Sequence, residues 1–205
     1  ESDIKLSRFQ QHGVKRAMRI LEKYHGVMIA DGVGLGKTFL ALAVISKFTE
    51  QRERVLIICP AALCGMWEKV LNEYQIFSEV VSFNKFRDDQ QFGGEHEYLM
   101  RDIEEFALIV IDEAHNYRTS DTDNAKALRE ILRQRKKLVL LTATPVNNGI
   151  MDLYVLFSYF LKQDAALSDE GIISLIEKLS GKKIDPKNIK RESFSSLKNM
   201  LKLTK

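Results

Sequence analysis

Five apolar runs of strand length recur along this 205-residue chain: Val27 to Ala30, Val55 to Cys59, Val80 to Phe83, Leu108 to Ile111 and Leu138 to Leu141. They are rich in Val, Ile and Leu and do not alternate strictly with polar residues, which is the pattern of strands covered on both faces. Helical stretches lie between them, at Lys37 to Phe48, Leu63 to Tyr74, Glu97 to Glu105, Asn124 to Arg133 and Ile150 to Leu161. This alternation predicts right-handed βαβ units, and so an α/β fold whose parallel sheet carries helices on both faces. The polar segment Phe86 to Glu97, "FRDDQQFGGEHE", holds Gly93-Gly94 and reads as a surface loop. Beyond residue 162 the pattern weakens. Two lesser helices, near Glu170 to Leu179 and Ser193 to Leu203, flank "SGKKIDPKN". The expected organisation is therefore one lobe over residues 1–162 and a basic helical appendage over 163–205.

Composition narrows the function classes. No apolar run approaches the roughly 20 residues of a membrane span, and "ESDIKLSRFQ" lacks the basic and apolar regions of a secretory signal. A cytoplasmic location is expected, nucleoid-associated in a microbe, with no membrane partner. The chain begins with Glu1 rather than Met and reads as a piece of a longer one. Cys59 and Cys64 build neither a disulfide framework nor a zinc ligand set and read as reduced thiols. Residues 176–205 carry nine Lys or Arg against three Asp or Glu, while the first 175 carry 22 against 25. The basic surplus sits in the tail, which reads first as a solvated helix face and second as a phosphate-contacting segment.

The chemistry gathers where apolar runs end. "VMIADGVGLGKTFLALAVI" passes from a strand through a glycine-rich turn into a helix, which points several N–H groups and a helix dipole at one place. The amides of Gly34 to Thr38 can wrap a β-phosphate, Lys37 can reach β and γ oxygens, and Thr38 can offer its hydroxyl to Mg²⁺. This is a P-loop, or Walker A turn, in which Asp31 stands where the usual pattern has its first glycine. "LIVIDEAH" then places Asp112 and Glu113 at the end of another strand. Asp112 is expected to coordinate Mg²⁺, mostly through water, and Glu113 to polarise the attacking water. His115 either relays between sites or hydrogen-bonds locally. Thr142 and Thr144 of "TATP" either touch the Asp112–His115 loop or cap their own turn. The ends at "ADG", "CPA", "DEAH" and "TATP" are expected along one sheet edge.

These residues resemble the first RecA-like lobe of superfamily 2 helicases, and within them the Swi/Snf-type double-stranded DNA translocases. "LSRFQQHGV" is similar to that family's leading L-x-x-[YF]-Q-x-x-G-V, and "ADGVGLGKT" to its A-D-E-M-G-L-G-K-T, which makes Asp31 normal for this branch. "VLIICPAALCGMWEKVL" and "LLTATPVNNGIMDLYVLFSYF" resemble the segments that follow, from about Leu6 to Leu161 overall. The resemblance implies a RecA-like P-loop NTPase domain that binds ATP and Mg²⁺. Gln10 would read the adenine, Asp31, Gly32, Gly34, Leu35, Gly36, Lys37 and Thr38 would hold the phosphates, and Lys37, Asp112 and Glu113 would serve catalysis. It implies double-stranded DNA as a partner with low sequence specificity. It also implies a second RecA-like lobe of the same polypeptide, whose absence leaves hydrolysis weak. A strand-separating helicase, a restriction or defence motor, and a non-catalytic nucleic-acid-binding module are the alternatives. Trp67 reads as packing on the sheet rather than stacking on a base, and Phe157, Tyr159 and Phe160 as core or lobe-interface residues.

Overall fold

In a computed structural model, residues 4–30, 36–92, 105–132, 136–145 and 150–161 are described. Five strands among them, β1 (Gly26–Ile29), β2 (Arg54–Cys59), β3 (Glu79–Ser82), β4 (Phe106–Ile111) and β5 (Lys137–Leu141), form one sheet in the order β1-β5-β4-β2-β3. Every pairing is parallel. The sheet divides its apolar residues by the period of two that strand geometry imposes. Val55, Ile57, Cys59, Leu108, Val110, Val139 and Leu141 enter one buried cluster, while Leu56, Ile58, Ile109, Ile111, Leu138 and Leu140 enter another. Each run looks continuous in sequence because both of its faces are covered.

Helices α1 (Arg8–Tyr24), α2 (Lys37–Glu50) and α3 (Ala61–Glu73) cover the first face. Helices α4 (Phe83–Phe92), α5 (Asp123–Ile131) and α6 (Ile150–Ser158) belong to the second. The α2 helix is buried nearly all round, from Leu40 to Ser46 and at Phe48, because α1 packs on its outer side. That accounts for its unbroken apolar sequence.

The α1 helix is absent from the sequence reading, although its signals are present. Ser7 and Gln10 form a reciprocal capping box, and Val14, Ala17 and Leu21 make one buried stripe. A second difference is a correction: the expected loop at Phe86 to Glu97 begins as helix, since α4 runs to Phe92. Ser82 caps it by accepting from the Lys85 N–H at 3.3 Å, and Phe86 is fully buried with Phe83 packed beside it. Two aromatic anchors hold the helix, too few for a periodic signal in a polar segment. The third strand accordingly ends at Ser82, with Phe83 already helical. The helix expected at Glu97 to Glu105, apart from Glu105 itself, and the appendage at 163–205 lie outside the described residues.

Gly26 opens β1 where the chain meets the end of α6. A Cβ added there would stand 2.1 Å from Phe160 Cγ and 2.4 Å from its Cβ, so the ring and its backbone must shift. Gly26→Ala is therefore expected to destabilise the fold by about 1 to 3 kcal/mol through overpacking. A urea midpoint equal to that of the parent would contradict this.

Candidate functional site

Because the strands are parallel and level, their carboxyl ends form one rim. Ile29 lies beside Leu141, Leu140 beside Ile111, and Ile111 beside Ile58. The ladder continues one residue further, with Asp112 N–H donating to Ile58 O at 2.9 Å and Thr142 N–H to Ile29 O at 3.2 Å. These bonds set Asp112 and Thr142 at the rim. The strand leading to the glycine-rich turn and the strand leading to Asp112 flank β5, so their axes stand about 10 Å apart.

On the first side of this rim, Gly36 precedes α2 with φ +79°, and Lys37 and Thr38 open the helix, both half-buried. The first turn of α2 has no acidic residue and begins with a lysine. The free N–H groups and the positive end of the dipole at a helix start favour an anion there. Gln10 reaches the same place from α1. Its Oε1 accepts from the Ser7 N–H at 2.9 Å, and its Nε2 lies 2.4 Å from where a Cβ on Gly36 would stand. Glycine at 36 therefore serves both the left-handed turn and the approach of Gln10. Asp31, Gly32, Gly34 and Leu35 lie outside the described residues.

On the other side, Asp112 is buried at 8% exposure, and two donors hold it. The Glu113 N–H donates to Oδ1 at 2.8 Å, and Trp67 Nε1 donates to Oδ2 at 2.9 Å. Glu113 adopts φ +50°, ψ +48°, a left-handed conformation that costs a non-glycine residue about 1 kcal/mol or more. It begins a 3-10 turn, Ala114–Tyr117. His115 Nδ1 approaches Glu113 Oε2 to 3.0 Å, but off the line of a good hydrogen bond.

Arg118 joins this loop to the next. Its Nε donates to His115 O at 2.9 Å, its Nη1 donates to Thr144 O at 3.3 Å, and Nη1 lies 3.6 Å from Asp152 Oδ2 in a largely buried ion pair. The Thr142 hydroxyl accepts from the Thr144 N–H at 3.2 Å, so it caps its own turn. The link between "DEAH" and "TATP" runs through Arg118, which the sequence reading passed over because nothing in the spacing marks it. The cavity of about 470 Å³ near Arg54, Leu71, Phe77 and Val80 lies at the amino ends of β2 and β3, away from this rim. Cys59 and Cys64 are free thiols with sulfurs 3.6 Å apart; burial, and then the neighbouring thiol, push the Cys59 pKa up.

A family described as "Type III restriction enzyme, res subunit" matches residues 3–147, a span that includes Gln10, the glycine-rich turn, Asp112-Glu113 and Thr142. The chain belongs to this family. It is 30% identical over 160 residues to "Uncharacterized ATP-dependent helicase YqhH" of Bacillus subtilis, which covers 72% of this chain and 28% of that relative. It is 28% identical over 188 residues to "TATA-binding protein-associated factor MOT1" of Saccharomyces cerevisiae, covering 76% of this chain and 10% of that one. A solved structure, "Sulfolobus solfataricus SWI2/SNF2 ATPase core in complex with dsDNA", superposes with a TM-score of 0.61 at 20% identity, covering 98% of this chain and 43% of that one. The fold is that of a RecA-like ATPase core. Within superfamily 2 the chain is a Swi/Snf-type N-terminal lobe. It spans between 10% and 43% of the three proteins named. Among the described residues no helix is long and apolar enough to cross a membrane.

In this Swi/Snf-type lobe the loop after Asp112 is clamped to α6 by aromatic residues. Tyr159 Oη donates to Tyr117 O at 3.0 Å, and the two rings meet edge to face at 6.4 Å. Both residues are buried, with Leu156 beside them, while Phe157 and Phe160 are half-buried. Burial pushes the Tyr159 pKa up to about 12, against the pull of the Arg129 guanidinium, and burial pushes that of Tyr117 up as well. An unfolded tyrosine ionises near pH ~10. Between about pH 10 and 12 the unfolded chain therefore releases a proton that the folded chain keeps, and stability falls as pH rises. The loss from Tyr159 is on the order of 2 kcal/mol. Urea melts across this range should show it, and Tyr159→Phe should lower stability at pH 8 yet flatten the alkaline decline.

Proposed function

We propose that this lobe binds Mg·ATP along the rim and, within a longer polypeptide, couples hydrolysis to movement on double-stranded DNA. The observation that supports the reading is the level strand rim, which sets the end of β1 and the Asp112-Glu113 pair on either side of Thr142. Lys37 would neutralise β and γ oxygens, with the amides of the glycine-rich turn around the β-phosphate and Gln10 toward the base. The Thr38 hydroxyl and the Asp112 carboxylate are hard oxygen donors, the type Mg²⁺ takes, and Asp112 already has each oxygen anchored by an N–H. Bound Mg²⁺ would offset charge on the transferring phosphoryl group. Glu113 would orient and polarise the attacking water.

Duplex DNA as partner is supported by the Sulfolobus solfataricus ATPase core, which was solved with dsDNA. A second RecA-like lobe would supply an arginine finger, a contribution of roughly 10³ to 10⁵ in rate. The 205-residue chain is therefore expected to bind nucleotide and turn it over slowly. A thermal-shift titration checks the first half: Mg·ATP should raise the melting temperature as RT ln(1 + [L]/Kd) requires, and no rise at millimolar ligand would favour a non-catalytic binding module. Robust DNA-stimulated phosphate release by the chain alone would contradict the second half. The family description favours one other motor, a restriction or defence enzyme that works on the same ATP site. Triplex displacement without strand separation by the longer polypeptide would support translocation on duplex DNA.

A further inference from the structure

Trp67 is fully buried, and its indole N–H must find an acceptor inside the protein. The acceptor is a carboxylate 45 residues away: Nε1 lies 2.9 Å from Asp112 Oδ2. The opposite oxygen accepts from the Glu113 N–H at 2.8 Å. With one donor on each oxygen, the carboxylate cannot turn about its Cβ–Cγ bond without breaking both bonds. Its remaining lone pairs keep one direction. The donor itself is held, since Trp67 and Leu71 form the buried edge of α3 and the indole packs in the first-face core.

We propose that Trp67 is a positioning residue for the metal-side carboxylate: its N–H fixes Asp112 in the orientation that receives Mg²⁺. The proposal rests on the reading of Asp112 as the residue that faces the ion. A buried donor bonded to a ligating carboxylate sets the ligand's direction and its charge distribution, and losing it weakens metal binding more than it weakens the fold. A hydrogen bond to a charged group supports an effect of about tenfold.

The test compares ADP binding to the 205-residue chain with Mg²⁺ and with a chelator, by titration calorimetry, in the parent and in Trp67→Phe. Phenylalanine keeps an aromatic ring in the core and removes the N–H. The expected result is a Kd for Mg·ADP about tenfold weaker in the variant, with Mg-free ADP bound as in the parent. An equal Mg²⁺ enhancement in both proteins overturns the proposal, and so does an equal loss with and without Mg²⁺, which would mark a merely structural role. If the parent binds no ADP in either condition, the functional reading itself falls, an outcome distinct from both.

A second measurement needs no change at position 67 and decides the matter should Trp67→Phe fail to fold. Trp67 is the chain's one tryptophan, so its emission reports on its own N–H contact. Adding Mg²⁺ to the ADP-bound parent should shift that emission, and Asp112→Ala should show no such shift. Unchanged emission in the parent, or a shift of parental size in Asp112→Ala, overturns the proposal.

Discussion

Lys37→Ala is expected to weaken Mg·ATP binding by about a hundredfold or more, with the fold intact. Lys37 would donate to ionised phosphate oxygens, and each such bond contributes roughly 1.5 to 3 kcal/mol, so losing two corresponds to at least two powers of ten. The fold should not suffer. Lys37 stands at the first position of α2, where its charge opposes the helix dipole and where alanine is a better helix former. Loss of binding in a variant that still unfolds cooperatively is therefore the specific signature. Calorimetric titration and thermal melts measure both, and a variant that binds Mg·ATP as the parent does would remove Lys37 from the site.

The second large effect is expected at Glu113. Glu113→Gln keeps the shape of the side chain, and the main-chain bond from its N–H to Asp112 Oδ1 does not depend on the substitution. It removes the carboxylate that would polarise water, a contribution of roughly 10² to 10⁴ in rate. Steady-state phosphate release by the longer polypeptide should fall by that factor, while Mg·ATP affinity stays within about twofold, since binding and proton acceptance belong to different groups. Glu113→Gly makes a useful contrast. Glycine relieves the left-handed strain at φ +50° and should raise stability by about 1 kcal/mol, yet turnover should fall as far as in Glu113→Gln. Parental turnover in Glu113→Gln would assign the water-activating role to another group.

Local features of the chain announced much of this. Five runs of Val, Ile and Leu that lack alternation require a sheet covered on both faces, and the division of Val55, Ile57 and Cys59 from Leu56 and Ile58 is what that requirement looks like in space. The polar residues after each run mark strand ends, and parallel strands bring those ends to one edge. The "DEAH" residues at the end of β4 were legible for that reason, while Asp31 to Leu35 of the glycine-rich turn lie outside the described residues. The Ser7–Gln10 capping box was equally present, and α1 was overlooked rather than hidden. The α4 helix is different: Phe83 and Phe86 anchor it only because a second-face core exists to receive them, and propensity in "FRDDQQF" says little.

The chain by itself therefore determined that there are five strands, their parallel sense and, for β2, β4 and β5, which residues stand at their ends, because period and polarity are local properties. Tertiary structure decided that β5 lies between the strand before the P-loop and the strand before Asp112, since strand order depends on pairings far apart in sequence. It also decided that Gln10 stands against Gly36, that Arg118 ties His115 to Thr144 and Asp152, and that Trp67 donates to Asp112. A buried donor takes the acceptor that packing sets before it, and no spacing along the chain encodes that choice.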